Sequence, residues 1–366
     1  MKIECLQEKL AFAVGKAEKV TGKNLTLPVL SCLYLEAKKN TLVIKATNLD
    51  VGIEIEIPVK VESEGVVAVS GAILNNFLSN LQGDKNVTLE LVDNTLLVST
   101  VKNSTKIKTL PFEDFPTIPI IEKDKKIVLN AADFIKGLKS VWYSSSTSTI
   151  KPELSSVFIY TDEEHMVFVA TDSFRLAEKR LKMKHVSDFN HTLIPFKNVQ
   201  EIIKAFDGID EDIEVYLDKN QIAFSYASIY MVSRVIDGVF PDYKQIIPKE
   251  FKTEVIVLKQ DLLNSLKLAH IFSDTFNQVN FKVEPSKKLF EVSTKNADVG
   301  EHAHALQGTV TGEDLAVNFN FKYIVDCFQS INSDSVSLHF NGSNRPLIIK
   351  GISDPSFMYL VMPMNR

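Results

Sequence analysis

Several features that often indicate a function are scarce or missing in this sequence. It has only three cysteines, Cys5, Cys32 and Cys327, an odd number without a C-x-x-C pair, and each lies among apolar neighbours. Buried free thiols are therefore predicted, in preference to disulfides or metal ligands. No apolar run approaches the ~20 residues of a membrane span. The opening residues Met1–Glu4 lack the basic and apolar character of a secretion signal, so we expect a cytoplasmic protein without a membrane association.

Catalytic motifs are missing as well. The sequence has no phosphate-binding loop of the Walker type, no dinucleotide-binding glycine pattern, no H-E-x-x-H and no G-x-S-x-G. His302 and His304 could share one strand face, but nothing nearby completes a tetrahedral metal set, so a surface or interface pair is predicted. Asp172 and Arg175 are interpreted as a loop ion pair in preference to a general base beside an anion clamp. We predict no metal, no cofactor and no enzymatic activity.

The sequence does contain an internal repeat with a period of roughly 125 residues. In each copy, the apolar positions change from the period of a strand to that of a helix face. A second helix pattern and an alternating strand follow in each copy. The strand-to-helix positions are Ile3, Cys5, Leu6, Leu10, Val14 and Ala17, then Ile127, Leu129, Phe134, Leu138 and Val141, and finally Val255, Val257, Leu262, Leu266 and Ala269. The second helices carry Leu74, Phe77, Leu78 and Leu81, then Val199, Ile202, Ile203 and Phe206, and finally Phe321, Ile324, Val325 and Phe328.

This repeat predicts an α+β protein of three similar domains, each with two helices packed on antiparallel sheet. We place the domains at residues 1–122, 126–250 and 253–366. The first junction runs from Pro111–Pro116 through Lys123–Lys126 and the second from Phe240–Tyr243 through Pro248–Glu250, and turn residues and charge collect in both. We therefore expect ordered, extended straps instead of flexible tethers.

Lysines occur on the polar faces of the predicted helices, although the formal net charge of the chain is −5. They are Lys9, Lys16 and Lys19 on the first helix, Lys136, Lys139 and Lys267 on its later copies, and Lys197, Lys204 and Lys322 on the other helix set. On this pattern alone, plain solvation of a helix face is the simpler interpretation.

Four segments resemble the bacterial replicative sliding clamps, the beta subunit of DNA polymerase III. They are Thr26–Pro28, Ala170–Ala177 (ATDSFRLA), Phe240–Tyr243 (FPDY) and the terminal Tyr359–Met364 (YLVMPM). Their order and spacing extend the resemblance over essentially the full length, and the family shares the threefold repeat.

The resemblance implies a head-to-tail homodimer in which each chain forms half of a closed ring around double-stranded DNA, without sequence preference. Such a processivity factor slides through weak phosphate contacts, which agrees with a negative net charge. The implied partners are the replicative polymerase, the clamp loader and other proteins with a clamp-binding motif. The residues expected to face DNA are Lys9, Lys16, Lys23, Asn24, Lys136, Lys139, Lys151, Lys197, Lys204, Lys267 and Lys322.

The resemblance also implies a pocket for a short peptide of the glutamine, two residues, leucine, aromatic kind. Apolar, methionine-rich walls with a few polar groups are typical of a promiscuous groove. The alternative is that Val361, Met362 and Met364 only complete a core strand. The expected pocket residues are Leu154, Thr171, Ser173, Phe174, Arg175, Leu176, Pro241, Ile246, Asn320, Tyr323, Pro346, Leu360, Val361, Met362, Pro363 and Met364.

The dimer interface is expected to join two different surfaces of the chain. The first surface is apolar and basic and consists of Lys102, Lys106, Ile107 and Lys108. The second surface has an apolar part and few acidic residues, and it consists of Ile271, Phe272, Asp298 and Glu301. This chain departs from many relatives at Ser173 and Phe174, where glycine and histidine are common, and at Gln245, where arginine is common.

Two other functions stay open at this point. A three-repeat protein-interaction scaffold without DNA would share the repeats and the lack of catalysis. An enzyme built on Asp172 and Arg175 is the more distant alternative.

Overall fold

A computed structural model describes residues 1–22, 26–83, 85–121, 126–183, 189 and 191–364. The first repeat contains β1 (Lys2–Leu6), α1 (Gln7–Glu18), β2 (Cys32–Lys38), β3 (Thr41–Thr47), β4 (Val51–Pro58), β5 (Lys60–Ser63), β6 (Gly65–Ser70), α2 (Gly71–Ser79), β7 (Asn86–Val92), β8 (Thr95–Ser99) and β9 (Ser104–Leu110).

The middle repeat contains β10 (Lys126–Asn130), α3 (Ala131–Val141), β11 (Ser156–Asp162), β12 (His165–Thr171), β13 (Arg175–Lys182), β14 (Thr192–Pro195), α4 (Phe196–Phe206), β15 (Asp212–Leu217), β16 (Gln221–Tyr226) and β17 (Ile229–Arg234). The last repeat contains β18 (Thr253–Leu258), α5 (Lys259–Ile271), β19 (Gln278–Glu284), β20 (Leu289–Asn296), β21 (Gly300–Leu306), β22 (Gly308–Gly312), β23 (Leu315–Asn320), α6 (Phe321–Cys327), β24 (Ser335–Phe340), β25 (Leu347–Gly351) and β26 (Asp354–Val361).

The repeated pattern of strands and helices is confirmed, and most of the apolar positions predicted for the helix faces are buried; Phe77, Leu81, Ile203 and Val325 are half-buried. Leu10, Val14 and Ala17 of α1 have no exposed surface, and Leu262 and Leu266 of α5 likewise lie in the core. The three cysteines are buried and unpaired, as predicted. No helix in the described ranges is both long enough and apolar enough to cross a membrane.

The chain divides into two compact units that do not follow the sequence repeats. The first unit comprises Met1–Ile135, Lys197–Asp237 and the segment around Phe189. Within the described ranges, its sheet has 13 strands in the order β10-β15-β16-β17-β4-β3-β2-β6-β9-β8-β7-β1-β5. Strands β17 and β4 pair antiparallel from Ile229 opposite Ile55 to Ser233 opposite Val51, which joins the first and middle repeats in one sheet.

The second unit comprises Lys136–Met183, His191–Phe196 and the chain from Gly238 onward. It has a nine-stranded sheet, β14-β11-β12-β13-β26-β25-β24-β18-β22, and a four-stranded sheet, β21-β20-β19-β23. Here β13 pairs with β26, so the middle and last repeats also share a sheet. Gly137 of α3 lies against the buried Phe168, and a Cβ at this position would stand 2.3 Å from the ring, which explains a glycine inside a helix.

The strap that follows β9 is ordered, as expected. Ile118 and Ile121 pack in a cluster with Tyr216, Ala223 and Val232 of the same unit. The backbone N–H of Ile121 donates to the Tyr230 hydroxyl at 3.0 Å. The end of this junction, residues 122–125, lies outside the described residues.

Candidate functional site

The loop between β12 and β13 forms a tight turn that presents Phe174 to solvent. The Asp172 carboxylate accepts the backbone N–H groups of Phe174 and Arg175, both at 3.0 Å. The Thr171 hydroxyl donates to the Arg175 carbonyl at 2.7 Å. Ser173 has a φ of 76°, in the left-handed region that a non-glycine residue adopts only when its surroundings hold it there. Phe174, at the tip, is 61% exposed.

Arg175 is the polar centre of this region. Its Nε donates to Asp172 at 2.9 Å, its Nη1 to Asp326 at 2.5 Å, and its Nη2 to the Tyr143 carbonyl at 2.7 Å. The guanidinium carbon also lies 4.6 Å from the ring centroid of Tyr323 in α6. Because its fork of donors is satisfied by three elements, Arg175 fixes the turn against α6 and the segment after α3. The predicted ion pair with Asp172 is confirmed.

The C-terminal strand and tail lie directly beside this loop. Arg175 is opposite Val361 and Leu176 is opposite Leu360 in the β13–β26 pairing. The backbone N–H of Met362 then donates to the Phe174 carbonyl, and that of Met364 to the Asn318 carbonyl, both at 2.8 Å. Leu360 and Val361 are buried, whereas Met362 and Met364 are half-buried. The tail therefore changes from core strand to surface segment at Met362.

Hydrogen bonds and ring contacts thus bring together the predicted loop Thr171–Leu176, Tyr323 and the tail from Leu360 to Met364. Asn320 caps the start of α6 by accepting from the Lys322 N–H at 3.0 Å. Pro346 is buried just before β25, whose Leu347 pairs with Val361. Leu154 is buried before β11, and Pro241 and Ile246 are exposed on the second strap. That these three line the same pocket stays a prediction.

Sequence reasoning missed three residues that hold the loop: Tyr143, Asp326 and Tyr359. The Tyr359 hydroxyl donates to the Tyr323 carbonyl at 2.8 Å, and the Tyr143 hydroxyl bonds Ser330 at 3.0 Å. Burial raises the pKa of both tyrosines well above the ordinary value, so both stay neutral. These three residues are far from Arg175 in the sequence, so no local sequence pattern could indicate that they hold this loop.

The second strap is fixed by aromatic stacking and one polar cluster. The ring of Phe240 stacks on Phe158 with centroids 4.9 Å apart. The Tyr243 hydroxyl donates to Glu178 and bonds the Tyr160 hydroxyl. Burial, followed by the Glu178 charge, raises the pKa of Tyr243. Tyr243–Ile246 form a turn of 3-10 helix that ends at Ile246, so the prediction of an extended strap is wrong for these residues, although the contacts above hold the strap in place.

The lysines expected to face DNA are exposed, with one exception among those described. Lys9, Lys136, Lys139, Lys151, Lys197, Lys204, Lys267 and Lys322 all have exposed side chains. Lys16 is half-buried, and its Nζ donates to the Ala205 carbonyl at the end of α4. Burial lowers the pKa of Lys16, partly offset by the Asp207 charge. Lys23 and Asn24 lie outside the described residues.

Of the residues expected at a dimer interface, Lys106, Ile107 and Lys108 lie on β9 and Glu301 lies on β21, two strands with open edges. The others lie outside these strands: Lys102 and Asp298 in the turns that precede them, Ile271 at the end of α5 and Phe272 directly after it. β21 is the last strand of its sheet in the described structure, and β6 pairs with β9 only at Thr109 and Leu110. On β9, Ile107 is only 4% exposed because it points into the chain's own core. The exposed neighbours are Lys102, Lys106 and Lys108.

On the other side, Ile271 is 63% exposed at the end of α5. The Phe272 ring stacks on the His302 ring with centroids 5.9 Å apart, so only part of the Phe272 side chain is free to contact a second chain. Asp298 is exposed, and Glu301 pairs with Lys295 at 3.5 Å.

No group of three or more histidine, cysteine or acidic side chains is arranged to hold a metal within the residues that are described.

Three family models match the chain in order. Residues 1–119 match the N-terminal domain of the DNA polymerase III beta subunit, residues 128–242 its central domain, and residues 244–365 its C-terminal domain. The beta sliding clamp of Synechococcus elongatus is 27% identical over 373 residues, which covers 100% of this chain and 99% of that protein. The beta sliding clamp of Staphylococcus epidermidis is 25% identical, and the match covers 95% of this chain and 94% of the relative.

Solved structures agree with these sequence matches. The crystal structure of the DNA polymerase III beta subunit from Thermotoga maritima is 26% identical, with a TM-score of 0.94, and the match covers 100% of this chain and 99% of that one. The sliding clamp from Bacillus subtilis shares the fold at a TM-score of 0.91 and 24% identity, with the same coverage of both chains. Because all three domain models match in order, and whole relatives align from end to end, the chain belongs to the DNA polymerase III beta subunit family, the bacterial beta sliding clamps.

Proposed function

We propose that this chain is a DNA sliding clamp, a processivity factor that encircles double-stranded DNA as a homodimeric ring. The observation that carries the proposal is the ordered match of three clamp domains over residues 1–365 together with a full-length structural match. The shared sheets support it, because β17–β4 and β13–β26 pairing stiffens the joints that a ring requires. The proposed domains keep the limits 1–122, 126–250 and 253–366.

The charge distribution supports sliding instead of tight binding. The chain has 46 acidic and 41 basic residues, yet lysines are exposed on helices of all three repeats. We assign these lysines to the DNA side, together with Lys23, Asn24 and Lys151. Weak phosphate contacts of this kind carry no sequence information and weaken as salt rises.

Ring closure is assigned to the open edges of β9 and β21. A head-to-tail contact between two different surfaces closes when the rotation completes a circle. The exposed Lys102, Lys106 and Lys108 would meet a side that carries Asp298 and Glu301. Since Ile107 is buried within its own chain, Ile271 and the free part of Phe272 provide the apolar contact.

We propose that partner proteins bind to the surface around Phe174, Tyr323 and the tail from Met362. The exposed aromatic side chain of Phe174 lies beside half-buried methionines. Together they offer an adaptable apolar contact to a leucine or aromatic side chain of a partner protein. The expected partners are the replicative polymerase, the clamp loader and other proteins with the motif. The clamp has no catalytic activity of its own, and we propose that it acts in the cytoplasm.

The solution mass of the protein tests the proposed dimer. Burying a large apolar side chain stabilises a contact by ~1.5–3 kcal/mol, so Ile271→Asp combined with Phe272→Ala should give folded monomers in sedimentation. Ile352→Asp is the matched control, because Ile352 is also exposed but lies in the turn before β26. If the double variant sediments as a dimer, the interface lies elsewhere.

A further inference from the structure

An exposed phenylalanine interrupts the lysine face of α1. Phe12 is 57% exposed, whereas the core face of the same helix consists of Leu10, Ala13, Val14 and Ala17. Burial of a phenylalanine side chain stabilises a fold, and Phe12 forgoes much of this gain because more than half of its surface stays in solvent. The ring therefore has no evident role in holding α1 on its sheet.

The surroundings of Phe12 carry mainly lysines and uncharged polar residues, with one exposed acid, Glu8, one turn earlier on α1. Residues 9, 12, 16 and 19 follow the spacing of one helix face, so Lys9 and Lys19 flank the ring along the helix. The exposed Lys19 forms an ion pair with the half-buried Glu18, with 3.0 Å between Nζ and Oε2. The neighbouring α2 contains no charged residue in its sequence GAILNNFLS, and its Asn76 is exposed.

Lys16 holds one side of the ring. Its Nζ lies 5.0 Å from the Phe12 ring centroid and also donates to the Ala205 carbonyl. A cation at this distance favours the π face that it approaches and restrains the side chain. The ring is thus supported on one face while most of its surface stays in solvent.

We propose that Phe12, Lys9 and Lys19 form a binding site for single-stranded DNA, in which Phe12 stacks on an unpaired base and the lysines contact the adjoining phosphates. A duplex exposes phosphates but hides the faces of its bases, so a duplex alone gives an exposed aromatic ring nothing to stack on. A single strand offers both groups, and the combination of aromatic stacking with a basic surface is how proteins bind it without sequence preference. The binding site is argued from the residues of α1, and it rests on the proposed function only for the role that single-stranded DNA binding has in the cell.

Fluorescence anisotropy with a labelled oligothymidylate tests the site, with a duplex of equal length as the second probe. Stacking on one base is worth ~1–3 kcal/mol by alanine substitution. Phe12→Ala should therefore weaken binding of the single strand about 5- to 150-fold, with little effect on the duplex. Phe12→Trp should preserve or strengthen single-strand binding. Phe112→Ala is the matched control, because Phe112 is a partly exposed ring next to the acidic Glu113 and Asp114.

Two results would overturn the proposal. Phe12→Ala with unchanged single-strand affinity would show that the ring is not a stacking platform. An equal loss for both probes would show a general effect on the helix face. Retention of the wild-type protein on circular duplex DNA, measured separately, shows whether the clamp function holds, and it does not depend on Phe12.

Discussion

Glu201 of α4 is the carboxyl group whose surroundings most clearly predict a pH effect. Its two oxygens accept from the Asn48 amide at 3.0 and 3.1 Å. Burial raises the pKa of Glu201 to about 7, with smaller opposing effects from Asn48 and Lys204. Because the folded protein holds this proton more tightly than the unfolded chain, stability falls as pH rises from about 4.5 to about 7. Above that window the cost of the buried charge is fully present.

Glu201→Gln should remove this pH dependence, because the amide keeps an acceptor for Asn48 and never ionises. We expect the variant to exceed the wild type in urea midpoint at about pH 8 and to match it at about pH 5. Glu8→Gln, on the exposed side of α1, serves as the control and should leave the profile unchanged. Parallel profiles for Glu201→Gln and the wild type would contradict the assignment.

At the residue scale, periodicity predicted which side chains are buried but not which polar groups meet. Leu10, Val14 and Ala17 are in the core because a helix period fixes its own face. The partners of Arg175 at Tyr143, Tyr323 and Asp326 come from other elements, so no spacing could indicate them. The burial of Ile107 follows from strand alternation between Lys106 and Lys108, and it limits the contact assigned to this residue by resemblance.

At the element scale, the tail that follows β26 is the segment on which the proposed peptide site depends. The strand itself ends at Val361, and the bonds from Met362 to Phe174 and from Met364 to Asn318 hold the next residues against the loop and β23. A change at Met362 therefore acts on the surface segment while the β13–β26 ladder stays intact.

Met362→Asp, or deletion from Met362 to the C-terminus, should remove binding of a peptide with the glutamine, leucine and aromatic motif. The charge or the gap eliminates an apolar contact beside Phe174, and loss of such an anchor costs at least ~2 kcal/mol, about 30-fold in affinity. Calorimetry measures this directly, and sedimentation should still show a dimer. Undiminished affinity in the deletion variant would mean that the groove lies elsewhere.

The order of strands and helices could be predicted for each repeat, whereas the pairing between repeats could not. Alternation identifies a strand and its buried face, but it does not name the neighbour across an open edge. The pairing of β17 with β4 and of β13 with β26 depends on backbone edges that every antiparallel strand offers. The sequence therefore predicted three domains and missed the continuous sheets.

At the scale of the whole molecule, a ring accounts for the combination of acidic net charge and exposed helix lysines. A protein that is held on DNA by affinity alone gains binding free energy from each phosphate that it neutralises. A chain with a formal net charge of −5 is poorly suited to binding of this kind. A closed ring is retained by topology, so each lysine contributes little. Reversal of Lys139, Lys204 and Lys267 to glutamate should shorten retention at raised salt without abolishing encirclement.

Retention on DNA of different topology tests the central claim most directly. The protein is loaded by its clamp loader onto nicked circular DNA, the complex is isolated by gel filtration, and half of it is cut once with a restriction enzyme. The proposed ring predicts that the protein stays with the circle and leaves the linear molecule, while the monomeric Ile271→Asp, Phe272→Ala variant is retained on neither. Equal retention on circular and linear DNA, or a dimer that is never retained on the circle, would contradict encirclement and favour the scaffold alternative.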